Sequence, residues 1–218
     1  RMAAQNQATT YARVVRLKGD PNRVHETITV WTQHILPLLK KQRGFTGVTL
    51  VGNRKTGDAL TVSYWETEAT MKEARGQVRP QALKVFGEIG ASIIEDDECE
   101  VALLERFKPP MAGAWARVTT VHGDPAHVSE AVDTFKDKIV PIIATQSGAR
   151  TALFYVNRQS GMALAGSVWD TEYDLQKSEA SISSLRTEAI KKFAGRDAKT
   201  EAFEIYFTEI LTPVASVR

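Results

Sequence analysis

Apolar and polar positions alternate through residues 11–17, and the segment is rich in β-formers, so it reads as a strand. Gly19-Asp20-Pro21 then breaks the pattern, with Asp20 placed to cap a helix and Pro21 suited to its first position. Val24, Ile28, Trp31, Ile35 and Leu38 or Leu39 follow at spacings of three and four, one apolar face of an amphipathic helix. Pro37 falls late in this helix and predicts a kink, because it removes a hydrogen bond and crowds the preceding turn. Gly44 ends the helix. Residues 48–53 and 60–65 read as strands around a hairpin turn at Lys55-Thr56-Gly57-Asp58. Thr67 is placed to cap a second helix running to about Gly90, and residues 98–107 read as a fourth strand. The order β-α-β-β-α-β is the ferredoxin-like unit.

The whole pattern then repeats. Tyr11-Ala12-Arg13-Val14 returns as Trp115-Ala116-Arg117-Val118, an offset of 104 residues. At that offset Gly19-Asp20-Pro21 matches Gly123-Asp124-Pro125, Pro37 matches Pro141, Asn53-Arg54 matches Asn157-Arg158, and Trp65 matches Trp169. Through the first sixty or so positions about a third are identical, which marks a duplicated domain. The alignment is expected to slip by a few residues in the second helix and to recover at Glu204 and Glu209. The boundaries predicted are residues 1–10 as a tag or disordered N-terminus, 11–108 as the first repeat and 114–212 as the second. The short Pro109-Pro110 linker keeps the copies adjacent. Two helices cover only one face of a four-stranded sheet, yet both faces of the fourth strand are apolar. The fold class expected is therefore α+β, two tandem ferredoxin-like repeats closing into an intramolecular pseudo-dimeric α/β barrel.

Composition narrows the function classes. Of 218 residues 43% are hydrophobic and 25% charged, with a net charge of +2. That is a globular profile with no strong field towards nucleic acid or an anionic membrane. No apolar run approaches the length of a membrane span, and the first ten residues lack a signal-peptide core, so a cytoplasmic location is expected. The single cysteine, Cys99, excludes an internal disulfide and a thiolate cluster.

Each copy resembles the antibiotic biosynthesis monooxygenase domain of the dimeric α/β-barrel superfamily. The resemblance rests on Gly44-Phe45, on Asn53-Arg54 with Gly57, and on Trp65-Glu66-Thr67-Glu68. The second copy keeps Gly148, Asn157-Arg158, Gly161 and Trp169-Asp170-Thr171-Glu172 but has Ala149 in place of Phe45. Single-domain members dimerise, and the fused chain resembles such a dimer made covalent, whether monomer or homodimer in solution. The resemblance implies a cofactor-independent monooxygenase acting on a small aromatic, polyketide- or quinol-like molecule. Two alternatives stay open: a non-catalytic small-molecule-binding or scaffold protein, and a small-molecule isomerase or lyase. No cofactor or metal is expected. The haem-degrading branch carries its iron ligand on the second helix, where this chain has no histidine in either copy.

On this reading the candidate catalytic residues are Trp65, His34 and Tyr64, and the candidate substrate-binding residues are Trp31, Asn53, Arg13 and Trp169. An indole stacks on an aromatic substrate and donates one hydrogen bond; the other and favoured reading of Trp65 and Trp169 is as core residues. His34 lies one turn from Trp31 and is a candidate general base; its other reading is an exposed helix histidine. Arg13 is expected to face Glu105, and Arg117 to face Glu209, either as an anion clamp or as a structural ion pair. Asn53 is either a pocket donor or a turn residue. The first copy is the preferred location, because Trp31, His34 and Tyr64 become Phe135, Lys138 and Val168 in the second.

Overall fold

The computed structural model describes residues 10–211; the N-terminal segment treated above as a tag lies outside the described residues except for Thr10, as does residue 212 of the second repeat. The strands are β1 (Tyr11–Lys18), β2 (Phe45–Gly52), β3 (Asp58–Trp65) and β4 (Ser92–Arg106), then β5 (Trp115–His122), β6 (Ala149–Val156), β7 (Met162–Trp169) and β8 (Arg196–Ile210). All eight close into one antiparallel barrel in the order β1-β3-β2-β8-β5-β7-β6-β4. The helices are α1 (Val24–Val30), α2 (Leu36–Lys40) and α3 (Glu68–Glu88) in the first repeat, and α4 (Val128–Thr134), α5 (Val140–Thr145) and α6 (Glu172–Lys192) in the second. The second helices are 21 residues each and the fourth strands 15 each, all at the offset of 104. The duplication therefore runs without the slip expected in the second helix.

The fourth strands begin six residues earlier than the sequence pattern predicts. In β4 the Glu95-Asp96-Asp97 run hides the first half, since three successive acids break any apolar alternation, and in β8 Arg196, Asp197 and Lys199 do the same. Each long strand serves both repeats. Residues 92–100 of β4 pair with β1, and residues 100–106 pair with β6 of the other repeat. In the same way β8 pairs first with β5 and then with β2. Arg13 therefore lies opposite Glu98 rather than towards Glu105, and Arg117 opposite Ala202 rather than towards Glu209.

A bulge between Val101 and Leu103 flips the face of β4 at the crossover. Cys99, Val101 and Leu104 line the barrel interior, while Leu103 is buried under the second repeat's helices. The matching irregularity in β8 leaves Phe203 and Ile205 inside and sends Phe207 out against Trp31 of the first repeat, 5.4 Å between ring centroids. Each helix layer thus packs on a strand donated by the other copy. Arg54 with Glu204 and Arg158 with Glu100, at 2.7 and 2.6 Å, form the same ion pair across both seams.

Pro37 and Pro141 act through a wide turn. Between α1 and α2 the segment Trp31–Ile35 is π-helical, and the Leu36 amide donates to the Trp31 carbonyl five residues back. The segment Phe135–Ile139 repeats this, with Val140 donating to Phe135. The extra residue in the turn makes room ahead of a proline that has no N–H to give.

Gly57 has φ +79° in the β2–β3 hairpin, and a side chain there would collide with the Gly19 carbonyl. Gly57→Ala is expected to lower stability by about 2 kcal/mol or more, read as a lower urea midpoint with an unchanged slope. An unchanged midpoint would show that the Gly19 loop yields freely.

Candidate functional site

Between the sheet and the helices of the first repeat lies a cavity of about 60 Å³. Its apolar wall comes from α1–α2, α3 and the outer face of β1: Trp31, Ile35 and Leu39, Ala82 and Phe86, and Leu17. Arg13, Arg75, Arg79 and Asp96 form its charged margin. Residues 75 and 79 are four apart on α3 and share one helical face, so both reach the same carboxylate. The Asp96 carboxylate accepts from Arg13 at 2.6 Å, Arg75 at 3.0 Å and Arg79 at 2.8 Å. Burial alone would raise the Asp96 carboxyl, but Arg13 and Arg75 overcome it and hold the group below the usual carboxylate range. Arg13 also meets Glu98 at 3.5 Å, so three guanidiniums face two carboxylates and the margin keeps a net positive charge.

Trp31 is fully buried, and its indole N–H has no hydrogen-bond partner. A buried donor without an acceptor carries a free-energy cost that a ligand oxygen or a water would remove.

The second repeat has the equivalent cavity, about 70 Å³, with Phe135 in place of Trp31. Its polar groups are wired differently. Arg117 donates to Ser178 and to the Leu175 carbonyl, and pairs with Glu179 at 3.0 Å. Glu179 stands where the first repeat has Arg75, and Arg186 binds it from the next turns of α6. Burial lowers the Arg117 guanidinium, and Glu179 opposes that shift.

The sequence candidates fall in different places. Trp31 and Arg13 come together at the first-repeat cavity. Trp65 is fully buried beside that cavity without lining it; its indole donates to Ser63 Oγ at 3.0 Å and packs edge-on against Phe45. Trp169 repeats the arrangement with Ser167 at 2.9 Å. His34 is exposed on the outer side of the π turn, away from the cavity lining. Asn53 closes the hairpin, its side-chain oxygen accepting from the amides of Lys55 and Thr56. Tyr64 points to the other face of β3 and sits inside the barrel, where its hydroxyl meets that of Tyr155 at 2.5 Å. Strand parity explains the last separation: residues 64 and 65 are neighbours in sequence and lie on opposite faces of the sheet.

Sequence reasoning missed Asp96, Arg75 and Arg79. The i, i+4 spacing of the two arginines was visible, but their shared carboxylate lay in a segment not recognised as strand. Among the described residues no group of three or more histidines, cysteines or carboxylates is placed to hold a metal ion, and no helix is long and apolar enough to cross a membrane.

No family model matches the chain. It is 25% identical over 206 residues to the uncharacterized protein Rv2557 of Mycobacterium tuberculosis, covering 93% of this chain and 90% of that protein. It is 24% identical over 207 residues to the uncharacterized protein Rv2558 of the same organism, covering 93% and 86%. Among solved structures, an anthrone oxidase-like protein superposes with a TM-score of 0.72 at 12% identity, covering 94% of both chains. A ferredoxin-fold protein from Listeria monocytogenes, related to antibiotic biosynthesis monooxygenases, gives 0.56 at 11% identity and covers 93% and 99%. A heme-degrading enzyme from Listeria monocytogenes gives 0.51 at 11% identity, covering 89% and 99%. At the level of fold the chain is similar to these proteins over nearly its whole length: two ferredoxin-like units closed into one α/β barrel.

Proposed function

We propose that the protein is a cofactor-independent oxygenase acting on a small acidic aromatic, a single-ring phenol or quinol, bound as its anion in the first-repeat cavity. The observation that carries this reading is the joining of an apolar wall and the unpartnered Trp31 N–H to a margin of three guanidiniums sharing one carboxylate. An oxygenase without a cofactor must make its substrate electron-rich enough to react with oxygen directly. Guanidiniums do this by favouring the phenolate over the phenol. Asp96, held below the usual carboxylate range, is a counter-ion and a poor base. The phenolic proton therefore leaves to solvent past Arg75 and Arg79, whose side chains are 46% and 29% exposed. Trp31 donates to a substrate oxygen, and the aliphatic wall keeps water from the reacting carbon. The similarity in fold to an anthrone oxidase-like protein supports the reaction class.

Cavity size bears on the substrate. About 60 Å³ is well below the roughly 150 Å³ that holds benzene in an engineered protein cavity, so binding requires Arg75 and Arg79 to swing outward. A three-ring anthrone requires far more than that. The same small volume favours a second reading, a binding protein without turnover.

Oxygen uptake with identification of the product tests the proposal: hydroquinone and molecular oxygen give hydroxyquinone and water, and anthrone and molecular oxygen give anthraquinone and water, whereas plain quinone with hydrogen peroxide would overturn the oxygenase reading. Turnover of hydroquinone in preference to anthrone is expected. Arg79→Gln is expected to lower kcat/KM by about tenfold, and Trp31→Phe, the second-repeat residue, by a smaller factor. Quenching of tryptophan fluorescence that is lost in Trp31→Phe, without oxygen uptake, would favour the binding protein. Neither binding nor uptake across the panel would sink both readings.

A further inference from the structure

A third cavity, about 80 Å³, lies inside the barrel on the opposite side of the sheet from the helices. Aliphatic side chains such as Val62, Leu104, Leu153 and Leu164 make most of its wall. Polar groups interrupt them: Thr49, Thr151, Ser167, Thr208 and Arg117, and with them a tyrosine pair and two further arginines. Tyr64 and Tyr155 are fully enclosed, ring edge to ring face, with their hydroxyls 2.5 Å apart. Two hydroxyls carry two protons, and one hydrogen bond uses only one of them; among the described residues the other phenolic hydrogen has no acceptor. Arg106 lines the same cavity from β4, on the interior face shared with Leu104. Its neighbour in the lining, Arg150, is neutralised by Asp170 at 2.5 Å. Among the described residues no carboxylate pairs with Arg106.

These three residues are departures from the duplication. At the offset of 104 the partners of Tyr64, Tyr155 and Arg106 are Val168, Val51 and Ile210, all aliphatic and all packed in the same interior core. A barrel that needed only a filled interior is served by the aliphatic set. The interior has another charged group, Arg16, which reaches past β3 and β2 to Glu201 on β8 at 2.7 Å and is thereby matched. Arg106 is not.

We propose that the barrel interior is a binding site for a small monocarboxylate, its carboxylate held by the Arg106 guanidinium and a phenolic hydrogen of the Tyr64–Tyr155 pair, its short alkyl tail among the aliphatic wall. A planar guanidinium matches a carboxylate with two parallel hydrogen bonds, and an unshared phenolic proton supplies a further donor. The volume limits the ligand to a few heavy atoms, of the size of acetate or propionate. Burial pushes both phenols above their ordinary range while Arg106 opposes it, so both remain protonated donors at neutral pH. Pro110 and Met111 of the exposed linker form the outer lining and lie on the route of entry. The site is separate from the sheet–helix cavity and does not rest on the oxygenase reading.

Sodium acetate titrated into the full chain, with sodium chloride at matched ionic strength as the control, tests the site by calorimetry and by chemical shifts of the tyrosine rings. Saturable binding near a Kd of about 1 mM is expected, as befits a ligand of four heavy atoms. Arg106→Gln is expected to weaken it by about tenfold or more, and Tyr64→Phe by a smaller factor. Arg106→Lys, which keeps the charge and loses the planar fork, is expected to fall between wild type and Arg106→Gln. Hydroquinone oxidation is expected to be the same in Arg106→Gln as in wild type, which keeps the two sites distinguishable. Equal acetate affinity in wild type and Arg106→Gln, an equal response to chloride, or no saturation by roughly 50 mM would each overturn the assignment.

Discussion

Trp65→Ala is expected to destabilise the protein by about 4 kcal/mol and to lower Tm by roughly 10 °C. The indole is fully buried between β3 and the first-repeat helices, and Phe45 packs against it at 5.7 Å between ring centroids. Truncation leaves a void that the barrel cannot close, because β3 is hydrogen-bonded to a strand on either side. It also takes the Trp65 N–H away from Ser63 Oγ in a buried setting. Trp65→Phe keeps most of the volume and loses only that bond, so a cost of about 1 kcal/mol is expected. Chemical denaturation of both variants, alongside ligand binding at the first-repeat cavity, checks the assignment. Near-normal stability in Trp65→Ala with ligand binding abolished would move Trp65 from the core into the site.

Asp96→Ala is expected to cost about 3 kcal/mol. The Arg13 side chain is 8% exposed, and Asp96 is its nearest carboxylate at 2.6 Å; Glu98 lies farther off at 3.5 Å. Removing Asp96 leaves three guanidiniums around an apolar cavity, and breaking a buried pair by deleting one partner is more damaging than never having built it. A pH signature follows. The folded-state carboxyl is held below its unfolded value, so its contribution is complete above the unfolded pKa of about 4 and is lost as pH falls through the lower folded value. Wild type is therefore expected to lose stability steeply below about pH 4, and Asp96→Ala to show a shallower decline over the same window. Parallel pH profiles for the two proteins would show that the Asp96 cluster contributes little to folding. The same variant is expected to bind a phenolate at least as tightly as wild type, since the guanidiniums lose their competing partner.

The architecture was legible in the sequence to a large extent, and particular residues show why. The offset linking Tyr11 to Trp115 and Trp65 to Trp169 establishes duplication without any structural knowledge, because identity at a constant spacing survives where local pattern is weak. Helix periodicity at Val24, Ile28, Trp31 and Ile35, and the capping threonine at 67, depend on neighbours within a few residues, so they too could be read directly. The sites were less legible. Arg13 and Trp31 were picked out and do meet at one cavity, yet Tyr64 belongs to another compartment and Asp96 was overlooked.

What the amino-acid order determined by itself was the repeat, the run of elements and the apolar character of both faces of the fourth strands, all of which are properties of short-range pattern and of copying. Tertiary structure alone decided which side chains share a chamber. Where β4 crosses from its own repeat to the other, one bulged residue at the crossover moves Leu103 outside and Leu104 in, and no one-dimensional alternation anticipates that flip. The arginine cluster on Asp96 and the lone Arg106 in the barrel both arise from contacts between segments far apart in the chain, where closure of the barrel rather than local propensity sets the distance.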